Sequence, residues 1–230
     1  MDADLLRRRG RRSLGQGVKP VSGPPVLKTR EPWRKPPRQA RSVARRKRIL
    51  QAGRLLFAEH GFEATSIAEI TAEAGTAAGA FYIYFRSKKQ LLIALVNELL
   101  ERLSHLDLRP ESGGDVRQGL HRFLAAVFRA DLEYYGVVRA WQEASLTDAE
   151  LGRMQAAIQS WTEARITRVF QLLQTFPNAR ADQDLASFAR MMDRHFWSLL
   201  ARGSRLSRND FDREIRTAAD VIYHYLFRDS

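Results

Sequence analysis

The stretch SIAEITAEAGTAAGAFYIYF, residues 66–85, decides the fold because it has the pattern of two short helices separated by a glycine. Ser66 and Glu69 have the spacing of a capping box, which marks the start of a helix. Apolar residues three and four positions apart follow, and Gly75 is placed to end this helix. A second short helix is predicted over residues 77–85. The stretch therefore predicts a helix-turn-helix, whose second helix is held away from the body of the protein.

The remaining sequence is helical by the same criteria. After residue 43 only Pro110 and Pro177 occur, and both separate segments of helical periodicity. Further capping boxes begin at Ser87 and Thr147. The helices predicted for the second half are 115–134, 137–146, 148–176, 182–202 and 210–227. The sequence thus predicts an all-α fold of about nine helices, with a three-helix N-terminal unit followed by a larger helical C-terminal unit.

Positive charge is concentrated at the N-terminus. Residues 1–48 contain 16 Lys and Arg against three acidic residues, a net charge of +13, whereas the rest of the chain carries −1. Six prolines and the lack of an apolar period over residues 1–43 predict a disordered basic arm. Such an arm indicates a polyanionic partner, because Lys and Arg near phosphates release counterions on binding. The alternative is a solvated tail whose charge only keeps the protein in solution.

Several classes of protein are excluded by what the sequence lacks. It has no cysteine, which excludes disulfides, cysteine zinc fingers and thiol catalysis. Its five histidines lack metal-ligand spacing, and no phosphate loop or nucleophile elbow is present, so no metal, cofactor or catalytic residue is expected. The arginine run at 7–12 precedes polar residues, and the longest apolar window, 91–100, is too short to span a bilayer. We therefore expect a soluble cytoplasmic protein that is not an enzyme and does not insert into membranes.

The residues that flank the second short helix indicate an anionic ligand. Tyr82 and Tyr84 place two hydroxyl groups near its end, and Lys88 and Lys89 lie in the first turn of the next helix. Cations in a first turn oppose the helix dipole, so an anion such as phosphate is expected nearby. The alternative is that the two tyrosines are half-buried aromatic residues and that Lys88 is an ordinary exposed lysine.

Residues 45–103 resemble the DNA-binding domain of the TetR family of transcriptional regulators. The spacing is intact over about sixty residues, and the matching motifs are Ile49-Leu50, Leu56-Phe57, Gly61-Phe62, Thr65-Ser66-Ile67, Ala74-Gly75, Gly79-Ala80-Phe81-Tyr82-Ile83-Tyr84-Phe85, Lys88 and Leu91-Leu92. The second half of the chain resembles the family in helix number and length only. The resemblance implies three regions: an arm at 1–43, the DNA-binding domain at 44–105 and an effector-binding and dimerisation domain at 115–230.

The resemblance also implies which residues contact double-stranded DNA. They are expected at the start of the first helix, at the start of the second helix, in the recognition helix and just after it: Arg45, Arg46, Arg48, Ser66, Ala77, Ala78, Gly79, Ala80, Tyr82, Tyr84 and Lys88. Thr76 is an alternative cap for the recognition helix. The alanines depart from the family pattern, since a methyl group can touch thymine but cannot hydrogen-bond a base edge. Few direct hydrogen bonds to base edges are therefore expected, and phosphate contacts, DNA shape and the arm are expected to contribute more of the binding free energy.

A ligand-responsive homodimer is the mechanism that the family implies. Two recognition helices would enter successive major grooves about 34–36 Å apart, and an apolar small molecule, which could carry an acid group, would release a repressor from its operator. The expected pocket residues are Phe123, Trp141, Trp161, Arg190, Asp193 and Phe196. The dimer is expected to pair the apolar stripes of the last two helices, Leu185, Phe188, Met192, Leu199, Phe211, Ile215, Ala218, Ile222 and Tyr225.

Two other functions are compatible with the sequence. An architectural DNA-binding protein would use the basic arm without sequence preference and would have no effector. A helical enzyme or carrier that shares the fold would bind an apolar small molecule but would leave Lys88 and the arm without a role.

Overall fold

A computed structural model describes residues 22–34, 37–106, 115–132, 134–202 and 206–228. Within these ranges the chain forms nine helices and one isolated bridge between Ala179 and Phe227, so the all-α prediction is confirmed. The helices are α1 Ala40–His60, α2 Ile67–Glu73, α3 Ala78–Tyr84, α4 Lys88–Ser104, α5 Val116–Leu132, α6 Tyr135–Thr147, α7 Ala149–Leu173, α8 Leu185–Arg202 and α9 Arg208–Leu226. None of the described helices is long and apolar enough to cross a membrane.

The helix starts are set mainly by local side-chain caps. The capping box at Ser66 is confirmed, with the Ser66 hydroxyl and the Glu69 carboxylate bonding each other's backbone N–H. Ser87 caps α4 through the N–H of Gln90. The box predicted at Thr147 is wrong by one residue, because Asp148 caps α7 by accepting from the N–H groups of two residues in its first turn.

The helices pack around one continuous apolar core. Helix α1 packs on α2, α4 and α6, while α7 packs on α6 and α8, and α5 packs on α9. Trp141, Phe57, Phe81, Phe128 and Phe170 are among its largest fully buried side chains. Because α6 lies against α1, α4, α7 and α8, it connects the helix-turn-helix to the second half of the chain.

The prediction of a disordered arm over residues 1–43 is wrong for residues 22–34, which we call the N-terminal strap. The strap is extended, and Leu27 and Thr29 are buried whereas Val26 and Lys28 are exposed. This alternation is the period of an extended chain with one face against a core. The side chain of Asn97 on α4 accepts from the N–H of Leu27 and donates to its carbonyl, at 2.9 and 3.0 Å. Residues 1–21 lie outside the described ranges.

The apolar stripes expected to pair two protomers are part of the protomer's own core. Phe188, Met192 and Leu199 of α8 are buried, as are Phe211, Ile215, Ala218 and Ile222 of α9. Other helices of the same chain cover these seven residues, so they are not free to pair with a second protomer, whereas the other two stripe residues, Leu185 and Tyr225, are half-buried. The large apolar side chains that remain exposed in the described parts of these two helices are Met191 and Val221.

Candidate nucleic-acid interface and ligand cavity

The turn between α2 and α3 holds the second helix of the helix-turn-helix at an angle to the first. Gly75 adopts a left-handed backbone conformation with φ 58°, which disfavours any residue with a Cβ. The N–H of Thr76 bonds the carbonyl of Thr71 at 3.0 Å and closes the turn. The first residue before α3 is Ala77, which makes no side-chain cap, so the alternative in which Thr76 caps this helix is wrong.

Helix α3 has a buried inner face and an exposed outer face. Ala80, Phe81, Tyr84 and Phe85 point into the core. The hydroxyl groups of Tyr84 and Ser42 lie 2.9 Å apart, which ties α3 to α1. Two residues predicted to contact DNA, Ala80 and Tyr84, are therefore interior residues. The physical reason is the helical period, which places them one turn apart on the same side as Phe81.

The outer face of α3 presents the other predicted contact residues to solvent. Ala77, Ala78 and Gly79 are exposed, and Tyr82 is 49% exposed. An added Cβ on Gly79 would meet no atom within 4 Å, so the space outside this turn is open. Ile83, which the sequence analysis missed, is 55% exposed beside Tyr82. Its position could have been found by projecting α3 as a helix with Phe81 facing inward.

Lys88 is a structural residue in this fold. Its ammonium donates to the carbonyls of Phe62, Glu63 and Thr65 at 2.5, 3.1 and 2.8 Å. It also lies 4.5 Å from the centre of the Phe62 ring. An ammonium has three N–H donors, and all three are used by this loop. Backbone carbonyls of this loop therefore supply partners for the Lys88 ammonium, and its contact with phosphate stays a prediction.

The basic residues of α1 lie at different depths. Arg48 is exposed, and its guanidinium would be 3.8 Å from a Cβ on Gly75, so it reaches the turn between α2 and α3. Arg45 and Arg46 are half-buried, and Arg46 stacks 5.3 Å above the ring centre of Phe85. Ser66 remains exposed although its hydroxyl caps α2. Among these predicted contacts, Arg48 is thus the cation that the fold places beside the helix-turn-helix.

An apolar cavity of about 130 Å³, partly open at the surface, lies between α4, α5, α7 and α8 and is also lined by Ile222 of α9. Four of the predicted pocket residues line it: Phe123, Trp161, Asp193 and Phe196. Trp141 lies outside it, fully buried, and donates its indole N–H to Gln155 at 2.6 Å. Arg190 also lies outside it, exposed, and donates to the hydroxyl of Ser187.

Two polar side chains of the cavity wall hold other parts of the chain in place. The indole N–H of Trp161 donates to the carbonyl of Ser22 at 3.0 Å, which anchors the start of the N-terminal strap. Arg165 donates to the carbonyls of Ser104 and Leu106 at 3.2 and 2.7 Å, at the C-terminal end of α4. A molecule that moves Arg165 would therefore disturb the helix that follows the helix-turn-helix.

Asp193 is a third polar residue of the cavity wall, and it is 2% exposed. Burial raises the pKa of its carboxyl group, and hydrogen bonds from Thr162 and Trp197 oppose that shift only in part. Its Oδ2 atom has no hydrogen-bond partner among the described residues.

Comparison with known proteins identifies the family. Residues 49–95, which include the whole helix-turn-helix, match the family of bacterial regulatory proteins described as the tetR family. The structure of SmeT from Stenotrophomonas maltophilia in complex with triclosan superposes on 81% of this chain and 93% of its own, with a TM-score of 0.63 and 25% sequence identity. The chain carries the N-terminal DNA-binding domain of the TetR family. Its nine described helices follow the TetR architecture, with the helix-turn-helix in the N-terminal part.

The curated relatives match only part of the chain. The regulator YuxN of Bacillus subtilis is 34% identical over 89 residues, which are 38% of this chain and 31% of YuxN. The repressor AcnR of Corynebacterium diphtheriae is 34% identical over 62 residues, which are 27% of this chain and 33% of AcnR. The chain therefore matches about a third of the length of these relatives. Both carry names of transcriptional regulators and not of enzymes.

Proposed function

We propose that this protein is a transcriptional regulator that binds an operator in double-stranded DNA through the outer face of α3. The observation that carries the proposal is the division of α3 into a core face and an open face. Phe81 anchors the helix, while Ala77, Ala78, Gly79 and Tyr82 face solvent. A recognition helix needs this arrangement because its outer side chains must reach base edges in the major groove. We assign residues 44–105 to DNA binding and residues 115–230 to the effector response.

The chemistry of the outer face favours contact with methyl groups and phosphates. The methyl groups of Ala77 and Ala78 can touch the C5-methyl group of thymine, and Tyr82 supplies a hydroxyl. Arg48 beside the turn is placed to meet a phosphate, and phosphate contacts set position without specifying sequence. Specificity is then expected to rest on few direct contacts and on the shape of the operator.

A homodimer would place two such helices in successive major grooves, about 34–36 Å apart. Because most residues of the predicted stripes are buried, we expect the dimer contact to use other residues of α8 and α9. Met191 and Val221 are 51% and 45% exposed, which makes them the apolar residues suited to an isologous contact. Binding to chromosomal DNA would also place the protein in the cytoplasm.

The cavity is proposed to bind an apolar effector that releases the repressor from DNA. SmeT, whose fold is similar, has been solved in complex with triclosan. In this chain Arg165 connects the cavity to the end of α4, and three residues separate the end of α3 from the start of α4. A ligand that binds better when Arg165 has moved would shift the protein toward a state with a different α4 position. The size of that shift is limited by its differential affinity for the two states.

Selection of binding sites from a random DNA library tests the proposal. The wild type is expected to enrich one palindromic site, and Ala78→Arg is expected to enrich a different one, because the new side chain can bond guanine. Ala156→Arg, which adds the same charge at an exposed position of α7, is the matched control and should select the wild-type site. Binding without enrichment of any sequence would instead identify an architectural DNA-binding protein.

A further inference from the structure

The Oδ2 atom of Asp193, which lacks a hydrogen-bond partner, indicates the chemistry of the effector. Asp193 lines the apolar cavity, and its side chain is buried, with the residue only 2% exposed. Its Oδ2 atom has no hydrogen-bond partner among the described residues. A buried polar group normally has a partner, and leaving a buried carboxylate unpaired costs folding free energy. We propose that the cavity takes an apolar amine whose ammonium group donates to Oδ2 of Asp193. This inference rests on the proposed effector function of the cavity.

The charged groups around the cavity favour a cation over an anion. Arg165 is the only Lys or Arg among the described residues of its wall, and it is engaged with the carbonyls of Ser104 and Leu106. Asp193 is influenced by Glu163, which opposes its ionisation, and by Arg194, which favours it. A bound ammonium would supply the positive partner that Oδ2 lacks. An acidic ligand would meet an unpaired carboxylate and would have to displace the α4 carbonyls from Arg165.

The other polar atoms of this kind do not belong to the cavity. Within the described ranges, Nε1 of Trp33 and Nη1 of Arg168 are also buried without a partner, but neither residue lines the cavity. Of these three residues, Asp193 is therefore the one that lines the cavity.

The size and walls of the cavity define the apolar part of the ligand. A volume of about 130 Å³ is comparable to the roughly 150 Å³ cavity that accommodates benzene in another protein, so one ring fits without rearrangement. Phe123, Trp161, Phe196 and Trp197 provide aromatic faces. Such faces also attract a cation that lies within about 6 Å of the ring centre. The ligand class is thus a single aromatic or aliphatic ring with an amine on a short stem.

Calorimetric titration with three probes of the same shape tests the inference: benzylamine, benzyl alcohol and benzoate. Benzylamine, a cation at neutral pH, is expected to bind the full-length protein at least tenfold more tightly than benzyl alcohol, and benzoate most weakly. Asp193→Asn keeps the shape and removes the charge, so it should abolish the preference for benzylamine and leave benzyl alcohol unchanged. Asp182→Asn, which removes an exposed carboxylate before α8, is the matched control and should retain the preference.

The outcomes separate this inference from the function on which it rests. Equal binding of benzylamine and benzyl alcohol, or a preference that survives in Asp193→Asn, would overturn the role of Asp193 while the cavity remained an effector site. Binding of none of the probes would overturn both the inference and the proposed effector response, whereas operator binding would be unaffected. Asp193→Asn removes a buried charge, so a folded variant is expected, and its thermal midpoint provides the check.

Discussion

A Cβ built on Gly136 of α6 would lie 2.2 Å from the Cα of Ala58 in α1. The two helix backbones are therefore in direct contact, and only glycine fits at this crossing. Two side chains of α6 strengthen the contact. Arg139 donates to the carbonyl of Ala58 at 3.2 Å, and the Glu143 carboxylate accepts from the N–H of Phe62 at 3.0 Å. This junction fixes the helix-turn-helix relative to the second half of the chain.

Gly136→Ala is expected to lower the free energy of unfolding by about 1–3 kcal/mol or more, because the added methyl group must push two backbones apart. Chemical denaturation measures the change. Gly119→Ala in α5 is the matched control, since a Cβ there meets nothing within 4 Å. In that position the same substitution should raise the stability by roughly 0.5–1 kcal/mol. Equal effects of the two substitutions would show that the α1–α6 contact is looser than described.

Lys88→Ala is expected to destabilise the fold without changing the number of cations that contact DNA phosphates. The carbonyls of Phe62, Glu63 and Thr65 lose a charged donor. A hydrogen bond to a charged group contributes about 1.5–3 kcal/mol to the free energy of unfolding. At temperatures where the variant is folded, its slope of log K against log salt should equal that of the wild type. Arg48→Ala should leave stability nearly unchanged and flatten that slope by about 0.9. A flatter slope with unchanged stability for Lys88→Ala would show that Lys88 contacts phosphate.

Asn97→Ala is expected to release the N-terminal strap from α4. The substitution removes both hydrogen bonds to the backbone of Leu27, which are part-buried, and should cost about 1–3 kcal/mol. Trypsin should then cleave after the exposed Lys28 and Arg30 faster than in the wild type. Asn209→Ala, at an exposed position of α9, is the control. Unchanged cleavage in Asn97→Ala would mean that other contacts, such as Trp161 with Ser22, suffice to hold the strap.

Sequence reasoning succeeded where the determining interactions are local. The capping box at Ser66 and the stop at Gly75 involve residues within a few positions, so the helix-turn-helix could be located from its pattern. It did not find the carbonyl partners of Lys88, because they lie 23–26 residues earlier in the chain. Likewise, the apolar stripes of α8 and α9 showed that one face is buried. They could not show whether the same chain or a second copy covers that face.

The strap and the cavity show the same limit. The prolines at residues 20–37 favoured a disordered arm over an extended segment with one buried face. The partner of the Leu27 backbone, Asn97, lies 70 residues away and could not be found from local sequence. Phe123, Trp161, Asp193 and Phe196 were predicted from residue type and do line the cavity. Trp141 is the same residue type as Trp161, but it lies on α6, where its indole N–H bonds Gln155, and it does not line the cavity. Residue type therefore indicates a cavity, and helix packing decides which aromatic residues line it.

The stabilisation by Lys89 is expected to disappear in acid. Its ammonium bonds the carboxylates of Asp148 and Glu150 at 2.6 and 2.7 Å and lowers the pKa of both. A carboxyl group whose pKa is lower in the folded state stabilises the fold above its unfolded pKa, and this contribution is lost as the pH falls through the folded value. The difference in stability between the wild type and Lys89→Met should therefore shrink as the pH falls below about 4, the ordinary pKa of a carboxyl group. Lys28→Met, at an exposed position, should show no such pH dependence, and a constant difference for Lys89→Met would contradict the ion pair.

Residues 1–21 are predicted to add to DNA affinity by charge alone. They contain six Lys and Arg against two Asp and precede the strap, so their removal leaves the strap contacts with Asn97 intact. Each phosphate that a cation neutralises contributes about 0.9 to the slope of log K against log salt. Deleting residues 1–21 should therefore flatten the slope by several units and cost more affinity at low salt than at high salt. Replacing the six cations with glutamine at constant length is the control and should reproduce the deletion. Fluorescence anisotropy with the selected operator measures both quantities, and an unchanged slope would identify this segment as a solvated tail.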